Sequence, residues 1–194
     1  MPFFYCKSWF RAKKIPRQRM DQETAFALHK AGLPYTVLVD SEGRPMAFIG
    51  LTAKSVLVGF LDAQLRERLS YTFKLVETGK LFLSMATYRE FSGESDAVVS
   101  GTNYVFQEDG ALSIDHRTYA PPTTEVTNSS TDVSDHYEKF PDSAATPRCS
   151  RQSDRREAAG KRRGVQPIAL LRPLPLLRSG ARPLHQPRSD RRSS

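Results

Sequence analysis

The stretch LRERLSYTFKLVETGKLFLSMATYREF, residues 65–91, decides the fold. Its first half alternates. Leu65, Leu69, Tyr71, Phe73 and Leu75 occupy one parity, and Gln64, Arg66, Arg68, Ser70, Thr72 and Lys74 the other. Period two marks a half-buried strand, because successive side chains in a strand point to opposite faces. A helical period would keep Leu65 beside Leu69 but scatter Tyr71 and Phe73. The second half, Lys80–Phe91, is again aliphatic and aromatic. Between them, Glu77-Thr78-Gly79 has the chemistry of a three-residue hairpin loop with Gly79 left-handed. In that register Leu75 meets Leu81, Phe73 meets Leu83, Tyr71 meets Met85, Glu67 meets Arg89 and Leu65 meets Phe91. On the other face Arg66 meets Glu90, and Arg68 lies over the ring of Tyr88. A two-residue loop would set Lys74 against Leu83 and Arg68 against Arg89, so cross-strand matching favours three.

The same loop chemistry returns at Glu108-Asp109-Gly110. There Phe106 meets Leu112, Tyr104 meets Ile114 and Thr102 meets His116. Upstream, Tyr35–Asp40, Met46–Leu51 and Ser55–Leu61 read as short strands, with Gly43 as a turn between the first two. Gln22–Ala31 reads as a helix, capped by Asp21 and stopped by Gly32 and Pro34.

The expected fold is therefore α+β: mainly an antiparallel β-meander of about seven strands with one short N-terminal helix, in a single domain over residues 21–142. Strand number alone leaves open whether a curled sheet closes into a small barrel. The first twenty residues mix Phe3, Phe4, Tyr5, Trp9 and Phe10 with basic residues in no sustained period, and read as an irregular basic and aromatic segment. Pro121-Pro122-Thr123-Thr124 reads as a strand breaker, with Tyr137 and Phe140 beyond it as anchors onto the sheet. Strand 80–91 is apolar on both sides, so the helix and residues 130–142 are expected to cover it.

Charge divides the chain. Residues 1–143 hold 16 Lys and Arg against 18 Asp and Glu, a net of −2, whereas residues 144–194 hold 13 against 3, a net of +10. The body of the protein is thus no basic nucleic-acid binder. Residues 143–194 lack aromatics, are rich in Arg and Pro, and read as a disordered tail or as sequence translated in a shifted frame. A genuine tail would meet nucleic acid only through non-specific charge. The two cysteines, Cys6 and Cys149, exclude a disulfide framework and point to free thiols and a cytoplasmic setting. No apolar run approaches the ~20 residues of a membrane span.

No phosphate loop, dinucleotide fingerprint, zinc-protease motif or nucleophile elbow is present. No metal or cofactor is expected. His116 follows Asp115, and His136 follows Asp135; a metal could use His and carboxylate oxygens together, but strand neighbours face opposite ways, so the signal is weak. The ordinary reading of His116 is a partly buried histidine paired with Thr102. Cys6 has basic and aromatic neighbours, a setting that lowers a thiol pKa. The group Arg66, Arg68, Tyr88 and Glu90 is either cross-strand decoration or a contact patch, since Arg and Tyr are common interface anchors.

The segments FLDAQLRERLSYTF (60–73), GKLFLSMATYREF (79–91), GTNYVFQEDG (101–110) and STDVSDHYEKFPD (130–142) resemble a group of short uncharacterised bacterial proteins. The resemblance covers residues 56–142 and carries no catalytic residues. It implies an immunity or accessory role beside bacterial toxins, and the tail after Asp142 departs from it. Two functions follow as expectations. One is a non-catalytic interaction protein that binds a protein partner through a sheet face or edge, at Arg66, Arg68, Tyr88 and Glu90. The other is a small-molecule binder or enzyme with an interior pocket at Thr102, Tyr104 and His116.

Overall fold

A computed structural model describes residues 2–41 and 44–140. The sequence readings of Gly43 as a turn and of residues 143–194 as a tail lie outside the described residues. Eleven strands occur among the described residues, with one α-helix. They are β1 (Phe3–Phe10), β2 (Ile15–Met20), α1 (Gln22–Lys30), β3 (Tyr35–Ser41), β4 (Arg44–Leu51), β5 (Ser55–Leu61), β6 (Glu67–Glu77), β7 (Lys80–Phe91), β8 (Val98–Phe106), β9 (Ala111–Tyr119), β10 (Pro122–Ser130) and β11 (Tyr137–Lys139). All pairings are antiparallel, in the order β10-β9-β8-β7-β6-β5-β4-β3-β1-β2, with β11 paired to the first residues of β7. Among the described residues the sheet is open, with β2 and β10 as its edges. The antiparallel meander and single helix stand as expected; the count of about seven strands is corrected to eleven.

The four additional strands have physical reasons for escaping a periodicity search. β1 sends Tyr5 into the main core and Cys6 and Trp9 into a second cluster with Leu38 and Phe48, so it shows no alternation. β2 is an edge strand whose Arg17 and Arg19 are exposed. β10 is exposed at every residue and has no apolar stripe. β11 has only three residues.

The main core runs along one face through Val39, Ile49, Val58, Tyr71, Phe73 and Leu83 to Phe106 and Leu112. Leu81, Phe82 and Leu83 are all fully buried, so β7 is covered on both faces as its sequence requires. Ala25 and Leu28 of α1, with Val133, Tyr137 and Phe140, pack onto the core. Asp21 caps α1, accepting from the Thr24 N–H at 2.8 Å. The Arg11 guanidinium, in the β1–β2 turn, pairs with Glu67 at the start of β6, although three strands separate β1 from β6 in the sheet. Lys14 reaches Asp96, beyond β7, at 2.6 Å. These cross-links show how strongly the sheet curls.

Two bulges reset the central hairpin. Leu75 pairs with Leu81 and Phe73 with Leu83, as expected. Glu77, not Val76, faces Lys80, and the register recovers through a shift at Val76. A second shift leaves Ser84 as an extra residue, so Tyr71 faces Ala86 rather than Met85 and Leu69 faces Tyr88. An extra residue reverses facing for everything beyond it. Tyr88 therefore shares the face of Tyr71 and Leu69, not the opposite face. The β8–β9 hairpin matches its expected register throughout, with Gly110 left-handed at φ +88°.

Candidate functional site

The bulge at Ser84 brings Tyr88 onto the face of Leu69 and Tyr71, and the β7–β8 register sets it opposite Thr102. Leu69, Tyr88, Thr102, His116 and Glu125 are successive cross-strand partners on β6 to β10. They form one row along one face. The next row inward is Tyr71, Ala86, Tyr104, Ile114 and Thr127, which lies against the core. The next row outward is Glu90, Ser100, Thr118 and Thr123, which is polar. The face thus grades from buried apolar groups to hydrogen-bonding groups over three rows.

Arg68 sits at the irregularity where β5 and β6 lose register, between the pairs Phe60–Leu69 and Leu61–Glu67. From there its Nε and Nη2 donate to the Tyr88 hydroxyl at 3.1 and 2.7 Å, and its guanidinium lies 5.4 Å from the ring centroid. Thr102 Oγ1 and His116 Nδ1 are 2.9 Å apart, as the ordinary reading of this histidine anticipates. Tyr88, Thr102, Tyr104 and His116 are all half-buried.

Arg66 and Glu90 do not meet. Arg66 donates to Asp62, Gln64 and the carbonyls of Gly93 and Ser95, at 2.6 to 3.3 Å, and stacks on Phe91. Its side chain is 10% exposed, so it fastens two loops together. Burial alone would raise the Asp62 carboxyl, but hydrogen bonds from Arg66 and Gln64 outweigh it and hold Asp62 low. Glu90 instead accepts from the Ser100 hydroxyl at 2.6 Å. The expected pair fails because the Ser84 bulge shifts Glu90 and because the chain turns at Leu65, whose φ of +59° ends the strand. Glu67 does meet Arg89, at 2.9 Å.

His136 is buried, with its ring nearly perpendicular to that of Phe106 at 4.5 Å, and burial holds its pKa below the usual value. Cys6 is buried too, and burial pushes its thiol up, outweighing the Ser8 carbonyl and the Arg19 charge. Among the described residues no cluster of three or more His, Cys, Asp and Glu has metal-binding geometry. Among them, too, no helix is long and apolar enough to cross a membrane.

The row ends at β10, and the two sheet edges differ. β2 is guarded: it carries Pro16, two arginines and a kink at Gln18, with φ of +49°. Such features hinder the addition of another strand. β10 pairs with β9 over nine residues without a register shift, and no other strand pairs with it among the described residues. Its proline, Pro122, stands at the first position, and Glu125 is its one charged residue. Thr131 N–H reaches the Gly110 carbonyl, continuing the β9–β10 ladder by one pair. Antiparallel ladders alternate. Glu125, Thr127 and Ser129 therefore bond to β9, while the amides of Thr124, Val126 and Asn128 point outward. The sequence reading missed β10 because its prolines outweighed Thr123, Thr124, Val126 and Thr127, a β-branched run that favours a strand.

No family model matches this chain, no curated protein matches it, and no solved structure matches it.

Proposed function

We propose that this chain is a non-catalytic interaction protein, of the immunity or accessory kind, that binds a protein partner on the β7–β10 face and along the free edge of β10. The observation that carries the reading is β10 itself: nine consecutive residues exposed, in unbroken register, with no lysine or bulge among them and one proline, Pro122, at the first position. Strand addition to such an edge supplies affinity through main-chain hydrogen bonds and specificity through alternate side chains. Arg68 and Tyr88 add anchors of the type that concentrates binding energy.

The test is capture by the product of the adjacent gene, with wild type, Val126→Pro and the Arg68→Ala, Tyr88→Ala double variant. Proline at 126 removes an outward amide and no bond to β9, so the fold tolerates it. Loss of capture by Val126→Pro with an unchanged melt supports the edge. A loss of roughly 2 kcal/mol or more in the double variant supports the face. Unchanged capture in both variants overturns the reading.

The half-buried Thr102–His116 pair, next to Tyr104, favours a second reading: a small-molecule site or enzyme pocket on the same face. His116→Ala would then abolish ligand-induced shifts in an NMR screen, while Val126→Pro would leave them intact.

A further inference from the structure

The topology separates the protein's charges into three blocks. Residues 2–20, which form β1 and β2, hold six Lys and Arg and no Asp or Glu. Residues 21–91 hold eight of each sign. Residues 92–140, which form β8 to β11 and their loops, hold two Lys and Arg against nine Asp and Glu, a net of −7. The basic block lies at the guarded edge; of the acidic block, Asp115 and Glu125 lie on the two strands of the open edge, Glu108 and Asp109 lie in the turn before β9, and Asp96 is paired with Lys14 of the basic block. The average charge of the chain conceals this gradient.

The acidic side chains sit where an added strand would feel them. Glu125 is on β10, and Asp115 faces Val126 from β9. At the Ser130 end, Thr131 bonds to Gly110, which brings the turn residues Glu108 and Asp109 close to Asp132. Two of these acids have cationic partners: Glu108 with Lys74 at 3.1 Å and Asp115 with Arg117 at 2.7 Å. Glu125, Asp109, Asp132 and Asp135 make no ion pair with a Lys or Arg among the described residues. A new strand would lie about 4.8 Å from β10. That is well inside the screening length of about 8 Å at physiological salt.

We propose that the free edge of β10 accepts a cationic extended segment of a protein partner, one that alternates Lys or Arg with apolar residues. This rests on the reading of β10 as the partner-binding edge, and adds the chemistry of the partner. Cationic side chains on the face of Glu125 meet that carboxylate, while apolar ones on the other face meet Val126, which is 62% exposed and stands opposite Asp115. A nucleic acid is repelled by the same block. A second copy is disfavoured, because pairing β10 with β10 brings two acidic blocks together.

The experiment uses the full chain and three labelled ten-residue peptides that alternate Val with Lys, Ser or Glu, followed by fluorescence anisotropy. The Lys peptide is expected to bind at least about tenfold tighter than the Glu peptide, with the gap closing at high salt. Val126→Pro should abolish its binding, and Glu125→Lys should narrow the preference. Equal binding of all three peptides, lost in Val126→Pro, overturns the cationic preference and leaves the edge reading standing. Lys-peptide binding that survives Val126→Pro, or no binding by any peptide, overturns both. A chain that sediments as a dimer until Val126→Pro is introduced places a second copy on the edge and overturns the cationic partner.

Discussion

Tyr88 stands directly opposite Thr102, and Thr102 directly opposite His116. Arg68 holds the Tyr88 hydroxyl from β6, so a basic group, a phenol, a hydroxyl and an imidazole lie in one line across four strands. The bulge at Ser84 sets Tyr88, and with it this line, on the face of Leu69 and Tyr71.

Arg66 and Arg68 are two residues apart, yet their substitutions should differ. Arg68 is exposed and bonded to one hydroxyl, so Arg68→Ala should cost no more than about 1 kcal/mol of stability. Arg66→Ala removes the side-chain partner of the half-buried Asp62 and of two loop carbonyls, and should cost about 1–3 kcal/mol. Urea unfolding of the two variants checks this. Equal losses would mean that the two guanidiniums do equivalent work.

Gly59 is the seat of a ring. A Cβ at residue 59 would lie 2.3 Å from two ring carbons of Phe48. That ring is stacked with Trp9 at 6.4 Å and lies 5.7 Å from the Arg11 guanidinium, which limits its retreat. Gly59→Ala should therefore destabilise by about 1–3 kcal/mol through overpacking. Phe48→Leu in the same background should restore part of the loss, as read from denaturant midpoints. A Gly59→Ala protein as stable as wild type would show that the cluster yields easily.

Burial depresses the His136 pKa in the folded chain, which sets a sign for the pH dependence. Below the ordinary histidine value of about 6.5 the unfolded chain takes up this proton first. The stability due to neutral His136 is thus complete above that pH, falls as pH drops through it, and levels off below the folded pKa. The carboxyls of Asp21 and Asp132, held low by the N–H groups of Thr24 and Ser134, lose their contributions only at more acidic pH. His136→Phe keeps a ring between Phe82 and Phe106 without the titration. Its denaturant midpoint should fall less than that of wild type between about pH 7.5 and about pH 5.5. An equal fall in both would place the titration elsewhere.

How far the sequence was legible follows from what each strand buries. β6, β8 and β9 have one more strongly apolar parity and β7 follows β6 through a recognisable loop, so alternation and loop chemistry give most of their pairing, including Thr102 with His116. β1 buries both faces and β10 neither, so alternation is silent for both. Bulges were illegible for another reason. Ser84 and Val76 differ from their neighbours in no way that marks an extra residue, and the local register fits either way. The Arg68–Tyr88 contact was nevertheless legible, because a long side chain reaches a diagonal partner in both registers. Arg66 was not, because its partners come from loops at Asp62, Gly93 and Ser95 that no strand pattern describes.

The central claim is that β10 offers its outer edge to a partner strand, and amide hydrogen exchange resolved by residue tests it most directly. In the free chain Glu125, Thr127 and Ser129 should be protected, while Thr124, Val126 and Asn128 should exchange at nearly unprotected rates, because only the first set bonds to β9. With the alternating Lys-Val peptide bound, Thr124, Val126 and Asn128 should slow markedly, and the amides of β2 should not change. Protection of those three in the free chain, or slowing on binding that misses β10, would contradict the account.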